Sequence, residues 1–156
     1  MSFAARKYLP PVASAFLALS VAVGCGEARD PAPLAPEPPR DLAGVNLDEP
    51  LRVLGTEPFW HLDIGPTTLN YLNADETQHV ADNPGPALQG ASAVWATQTK
   101  AGMPLKITLT PIDCSDGMSD RIYPLSAEIE LGSTQLTGCA AALTALERAG
   151  ESGRVE

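Results

Sequence analysis

Apolar and polar residues alternate along three stretches of this chain: Trp60-His61-Leu62-Asp63-Ile64, Leu105-Lys106-Ile107-Thr108-Leu109-Thr110, and Leu125-Ser126-Ala127-Glu128-Ile129-Glu130-Leu131. A period of two places successive side chains on opposite faces, so each stretch predicts a strand with one buried face. Thr68-Leu69-Asn70-Tyr71-Leu72 and Ala93-Val94-Trp95-Ala96-Thr97 predict two more. Between them stand Gly65-Pro66, Asn83-Pro84-Gly85-Pro86, Gly102-Met103-Pro104 and Gly132-Ser133, which punctuate strands with turns. Short strands at this spacing predict a mainly β fold, an antiparallel sheet rolled into a small barrel or sandwich. Ala140 to Ala149 is rich in Ala and Leu and predicts a short C-terminal helix, with Glu151 to Glu156 as a frayed tail.

The pattern changes at the start of the chain. Arg6 and Lys7 precede an apolar run from Val12 to Val23, which is short of the roughly 20 residues needed to span a membrane and suits the core of a signal peptide. The run ends at Ala22-Val23-Gly24-Cys25, small residues before a cysteine, as lipoprotein signal peptidase requires. Residues 1–24 are therefore expected to be a lipoprotein signal peptide, with Cys25 the lipidated residue. Pro31, Pro33, Pro36, Pro38 and Pro39 follow among Ala, Glu and Asp, so 25–50 reads as an extended tether that cannot bury a core. This leaves 51–142 as one β-rich domain and 143–156 as helix and tail. Gly26, rather than Asp, follows Cys25, which is compatible with transport to an outer membrane, facing the periplasm, if the cell has two membranes.

With Cys25 assigned to lipid, Cys114 and Cys139 remain, and in an oxidising compartment they are expected to form a disulfide. Such a crosslink stabilises by about 3 kcal/mol, a useful staple for so small a domain. Charge sharpens the class. Without Arg6 and Lys7, 8 of the 10 basic residues stay against all 19 acidic ones, a net charge of −11. That excludes nucleic acid as a partner and would favour a cationic one.

Two local motifs hold the candidate chemistry. Gly55-Thr56-Glu57-Pro58-Phe59-Trp60 opens the domain, with Glu57-Pro58 expected to set an extended lead-in to the strand. Phe59 and Trp60 should point to opposite faces, and Trp60 is the candidate surface aromatic. Cys114-Ser115-Asp116-Gly117-Met118-Ser119-Asp120-Arg121-Ile122-Tyr123-Pro124 is the candidate binding loop, with Asp116, Ser119, Asp120, Arg121 and Tyr123 as its site residues. Asp and Ser can cap the backbone of a tight loop, Gly117 can supply a positive φ, and Arg121 can pair with Asp116 or Asp120. Asp113, Asp116 and Asp120 loosely suggest oxygen ligands for calcium, without the alternating ligands of an EF-hand. His61, expected exposed on its strand, and His79, expected in an acidic loop, have no motif partner. Nothing in the chain matches a nucleophile elbow, a zincin motif, a phosphate loop or a cofactor motif.

Together with Gly138-Cys139-Ala140, these motifs make the stretch from Leu51 to Ala140 resemble a family of bacterial envelope proteins and lipoproteins of unassigned activity, marked by GTEPFW, CSDGMSDRxYP and GCA. The opening Gly-Thr-x-x-x-Trp is more faintly similar to META-type domains of heat-shock lipoproteins. Acidic lysozyme-inhibitor lipoproteins share a disulfide-plus-β layout, but their inhibitory loop is not found here. The resemblance implies an envelope location and no activity. The expected function is a non-catalytic binding or envelope-maintenance module, anchored to the membrane and engaging a cationic envelope protein or a cell-wall component. An enzyme acting on envelope material and a calcium-stabilised structural protein are the alternatives.

Overall fold

The computed structural model describes residues 40–156; the expected signal peptide, the expected lipidation site Cys25 and the proline run up to Pro39 lie outside the described residues. Nine strands form one curled antiparallel sheet. In chain order they are β3 (Leu51–Thr56), β4 (Phe59–Ile64), β5 (Thr68–Asn73), β6 (Gln78–Asp82), β7 (Ala87–Gln89), β8 (Ser92–Gln98), β9 (Pro104–Thr110), β11 (Leu125–Leu131) and β12 (Thr134–Ala142). Two short pairs stand outside the sheet: β1 (Asp41–Leu42) with β2 (Val45–Asn46), and β10 (Asp120–Ile122) with β13 (Ser152–Arg154). The spatial order of the sheet is β6-β5-β4-β3-β12-β11-β9-β8-β7. The curl brings its two ends together. Ala81 of β6 bridges Thr99 beyond β8, and the Lys100 N–H donates to the Val80 carbonyl at 2.7 Å.

All five expected strands, the three from alternation and the two others, are present, each within a residue or two of its expected ends. Their apolar positions fill the inside of the curl, where Val53, Leu62, Leu69, Trp95, Ile107 and Leu109 are wholly buried. At one end of this core Trp60 stacks on Tyr71, with ring centroids 6.0 Å apart, and Tyr71 in turn lies 5.9 Å from the His79 ring. His79 is therefore half-buried on strand β6 and not in a loop, because its register opposite Tyr71 gives the imidazole an aromatic neighbour. Among the described residues no helix is long and apolar enough to cross a membrane.

The ordered body extends past 51–142 at both ends. Leu42, Val45 and Leu47, expected in the tether, join the core, since the tight β1–β2 hairpin turns them inward. The C-terminal helix is shorter than the expected 140–149. It is α1, Leu143–Arg148, because Ala140–Ala142 belong to β12. Cys139, Ala140 and Ala141 are buried in succession, which happens only when both faces of a strand are covered. The cover on the outer face is the chain's own end. Tyr123, Cys139, Ala141, Ala145 and Val155 form a second small cluster there. The expected frayed tail is ordered: β13 pairs in parallel with β10, and Val155, which donates its N–H to the Ile122 carbonyl, is 1% exposed.

Two glycines decide how closely the strands approach. A Cβ on Gly55 would overlap the Trp60 indole, and a Cβ on Gly138 would overlap the Leu54 carbonyl. Gly138→Ala is accordingly expected to destabilise the domain by about 1–3 kcal/mol, the usual cost of overpacking where backbone must move. Gly150→Ala, where a Cβ meets nothing within 4 Å, is the matched control and should be near neutral. Chemical denaturation of both variants checks the contrast.

Candidate functional site

The segment from Cys114 to Pro124 lies across the outer face of β12 and β3. Cys114 and Tyr123 pair as an isolated bridge, exchanging backbone hydrogen bonds of 3.0 and 2.8 Å, and so pinch off the loop between them. Cys114 is disulfide-bonded to Cys139 of β12, with Cα atoms 5.5 Å apart. That bond riveting the loop to the sheet matters because the cluster beneath it is small. Tyr123 and Val155 are its only large fully buried side chains, and each contributes about 1.5–3 kcal/mol by burial. A crosslink worth about 3 kcal/mol is of the same size.

Asp116 is the hub of the loop. Its Oδ1 accepts from the N–H groups of Met118 (2.9 Å) and Ser119 (2.8 Å), and its Oδ2 from Ser119 Oγ and the Tyr123 hydroxyl, both at 2.8 Å. Gly117 turns the chain at φ +73°, as its place in the loop predicts. The Asp116 carbonyl accepts from Thr56 Oγ1 at 2.8 Å, joining the loop to the tip of β3. Burial pushes the Asp116 carboxyl up, but the Ser119 and Met118 amides and the two hydroxyls outweigh it and hold the pKa at about 2. For Tyr123, burial and the Asp116 carboxylate raise the phenol.

Most candidate residues thus look into the loop. Ser119 bonds Asp116, and Tyr123 is 1% exposed. Arg121 pairs with neither Asp116 nor Asp120. Its Nε donates to the Gly150 carbonyl at 2.7 Å, because β10–β13 pairing brings the C-terminus alongside. Asp120 is exposed at the start of β10. Asp113 is held by Arg154 at 2.9 Å, so Asp113, Asp116 and Asp120 do not converge as cation ligands. Among the described residues no group of three His, Cys, Asp or Glu is placed to hold a metal ion. Phe59 and Trp60 do face opposite ways, but in the reverse sense: Trp60 is 4% exposed and Phe59 56%. The inward side is fixed by Gly55, whose missing side chain leaves room for the indole. Glu57-Pro58 is a turn joining β3 to β4, with a cis peptide bond, and not an extended lead-in.

Two grooves flank the loop, and the Thr56–Asp116 hydrogen bond forms the saddle between them. The first, about 610 Å³, runs over β11 and β12 and is lined by Glu57, Met118, Ser126, Glu128 and Thr137 together with Asp116. Among the described residues no Lys, Arg or His lines it. Glu57 and Glu128 are exposed and, among the described residues, have no ion-pair partner. The second groove, about 430 Å³, lies over β3–β5 and carries Phe59, His61, Leu72 and Arg121. His61 is half-buried there, not exposed, because the loop stands over its strand. Glu57, Glu128 and Thr137 went unnoticed in the sequence. The signal was the alternation of β11 itself, whose polar set Ser126 and Glu128 marks a solvent face.

Comparison with family models, with curated proteins and with solved structures found no match to this chain.

The Asp116 hub gives a definite acid dependence. Its folded pKa of about 2 lies below the usual 3.8, so it contributes stability that is fully present above the unfolded value and lost as pH falls through the folded one. Stability should therefore drop between about pH 4 and pH 2. Asp116→Asn should be less stable at neutral pH and should lose that part of the slope. Denaturation across this range reads the difference, and an unchanged slope would remove Asp116 as its source.

Proposed function

We propose that this chain is a lipid-anchored protein of the cell envelope whose β domain is a non-catalytic binding module for a cationic partner, an envelope protein or a cell-wall component. The observation that carries the reading is the first groove: a concave face with acidic side chains and no basic one, on a chain of net charge −9 even with its N-terminal cations. A field of one sign raises the encounter rate with opposite charge, and free carboxylates at a rim set orientation. The loop above the groove is held by the disulfide and by Asp116, so little ordering entropy opposes binding. His61 and His79 stand on different strands, and among the described residues no hydroxyl or thiol nucleophile is hydrogen-bonded to either, which favours a binding role over a catalytic one.

The anchor belongs to the same reading. The apolar run to Val23, the small residues before Cys25 and the proline-rich stretch after it support an exported, lipidated and tethered domain. The resemblance of the three motifs to bacterial envelope lipoproteins supports the same compartment.

Two outcomes follow. Cys25→Ser should move the protein from the membrane fraction to the soluble fraction, and mass spectrometry of the wild type should find a diacylglyceryl group on Cys25. A wild-type protein that fractionates as soluble would refute the anchor. A photo-crosslinking residue at Thr137 should capture a basic envelope component in cells. Glu57→Lys with Glu128→Lys should abolish that adduct and slow association severalfold in low salt. An adduct formed equally by the charge-reversed protein would overturn the cationic partner.

A further inference from the structure

The second groove has a different character from the first and is not needed for the function just proposed. Its floor and wall are apolar: Leu54 and Leu72 are half-buried on the outward faces of β3 and β5, and Phe59 is 56% exposed at the turn. An exposed phenyl ring beside two half-buried leucines leaves apolar surface that water covers poorly. The groove's volume, about 430 Å³, is that of a small-molecule site.

Its charges do not cancel. Arg52 lines it, but Asp63 holds that guanidinium in a two-point bond of 2.6 and 2.8 Å. Among the described residues Asp116 is the one carboxylate in the lining, and both its oxygens are taken by its own loop. Arg121 is left. Its Nε is fixed on the Gly150 carbonyl and its side chain also hydrogen-bonds Tyr123, both neutral partners; among the described residues the one carboxylate within 4 Å, Glu151, is 3.8 Å away on a side chain 98% exposed. A solvated pair at that distance contributes little, so the guanidinium keeps most of its attraction for an anion entering from the groove. His61, also in the lining, adds a ring nitrogen that can donate a hydrogen bond.

We propose that this groove is a binding site for a small organic anion, a carboxylate carried on an apolar body such as an aromatic ring. The ring lies against Phe59, Leu54 and Leu72, and the carboxylate meets Arg121 and His61. In a chain so acidic, an anion is repelled from most of the surface, so a place that accepts one is selective by position.

The test uses the full chain in neutral-sugar detergent, titrated with phenylpropanoate, phenylpropylamine and phenylpropanol, which share a ring and differ in charge. Backbone amide shifts report the site. Phenylpropanoate should give saturable shifts at Phe59, His61, Leu72 and Arg121, with an affinity at least about tenfold above that of the other two, the worth of one charge-assisted hydrogen bond. His61→Glu and Leu72→Glu each place an anion in the groove outside the core and should abolish those shifts while the melting temperature holds. Glu57→Lys with Glu128→Lys, which disables the first groove, should leave them intact. Equal binding of all three probes would overturn the proposal by showing apolar contact alone. Saturable shifts elsewhere, or none in the groove, would overturn it too.

Discussion

Trp60 fills a space that exists because two strands carry no side chain there. Gly55 on its own hairpin leaves room for the indole, and Gly138 lets β12 press against the Leu54 carbonyl of β3. The rest of the outer face depends on that approach. With β12 seated in this register Cys139 sits directly opposite Leu54, and its sulfur points outward beneath the loop. Only then can the disulfide hold Cys114, and only then does Thr56, two residues along β3, reach the Asp116 carbonyl. Three motifs far apart in the chain are thus one piece of packing: the glycine and tryptophan of the first, the aspartate and tyrosine of the second, the glycine and cysteine of the third.

The core of this arrangement was legible in the alternation, since a strand with one wet face announces itself. β11 is found to the residue for that reason. The end of β12 was not legible, because Cys139, Ala140 and Ala141 are buried on both faces and a run of alanines has the composition of a helix. The same limit applies to β13 and to the β1–β2 hairpin. Neither alternates over enough residues to show a period, and both are ordered by contacts with distant segments. Periodicity says that Phe59 and Trp60 part company but not which turns inward. That is set by Gly55, a residue whose contribution is an absence.

The loop illustrates a different gap. Its polar residues suggested an outward binding surface, and the caps expected of Asp116 and Gly117 are present. Yet each hydrogen bond that rigidifies a loop removes a donor or acceptor from what the loop can offer. Asp116 has four donors on two oxygens and Tyr123 is wholly covered, so neither has much left for a ligand. The side chains that line the grooves are instead their neighbours, placed by strand order: Glu57, Glu128 and Thr137 on one side, Phe59, His61 and Leu72 on the other. Strand order is a long-range property that local pattern does not carry.

The two grooves differ because a single β strand, β3, separates them while the charges come from elsewhere. On the β11–β12 side the outward positions are Ser, Glu and Thr, and among the described residues the neighbouring cation, Lys106, is held by Glu130 outside the groove's lining. On the β4–β5 side the outward positions are aromatic, imidazole and leucine, and the C-terminal segment holds Arg121 in place by the Gly150 carbonyl. The ordered C-terminus therefore positions the Arg121 side chain as well as covering the small outer cluster. The parallel pairing of β13 with β10 brings the Gly150 carbonyl to the Arg121 Nε. It fixes a cation beside an apolar wall on a strongly acidic protein.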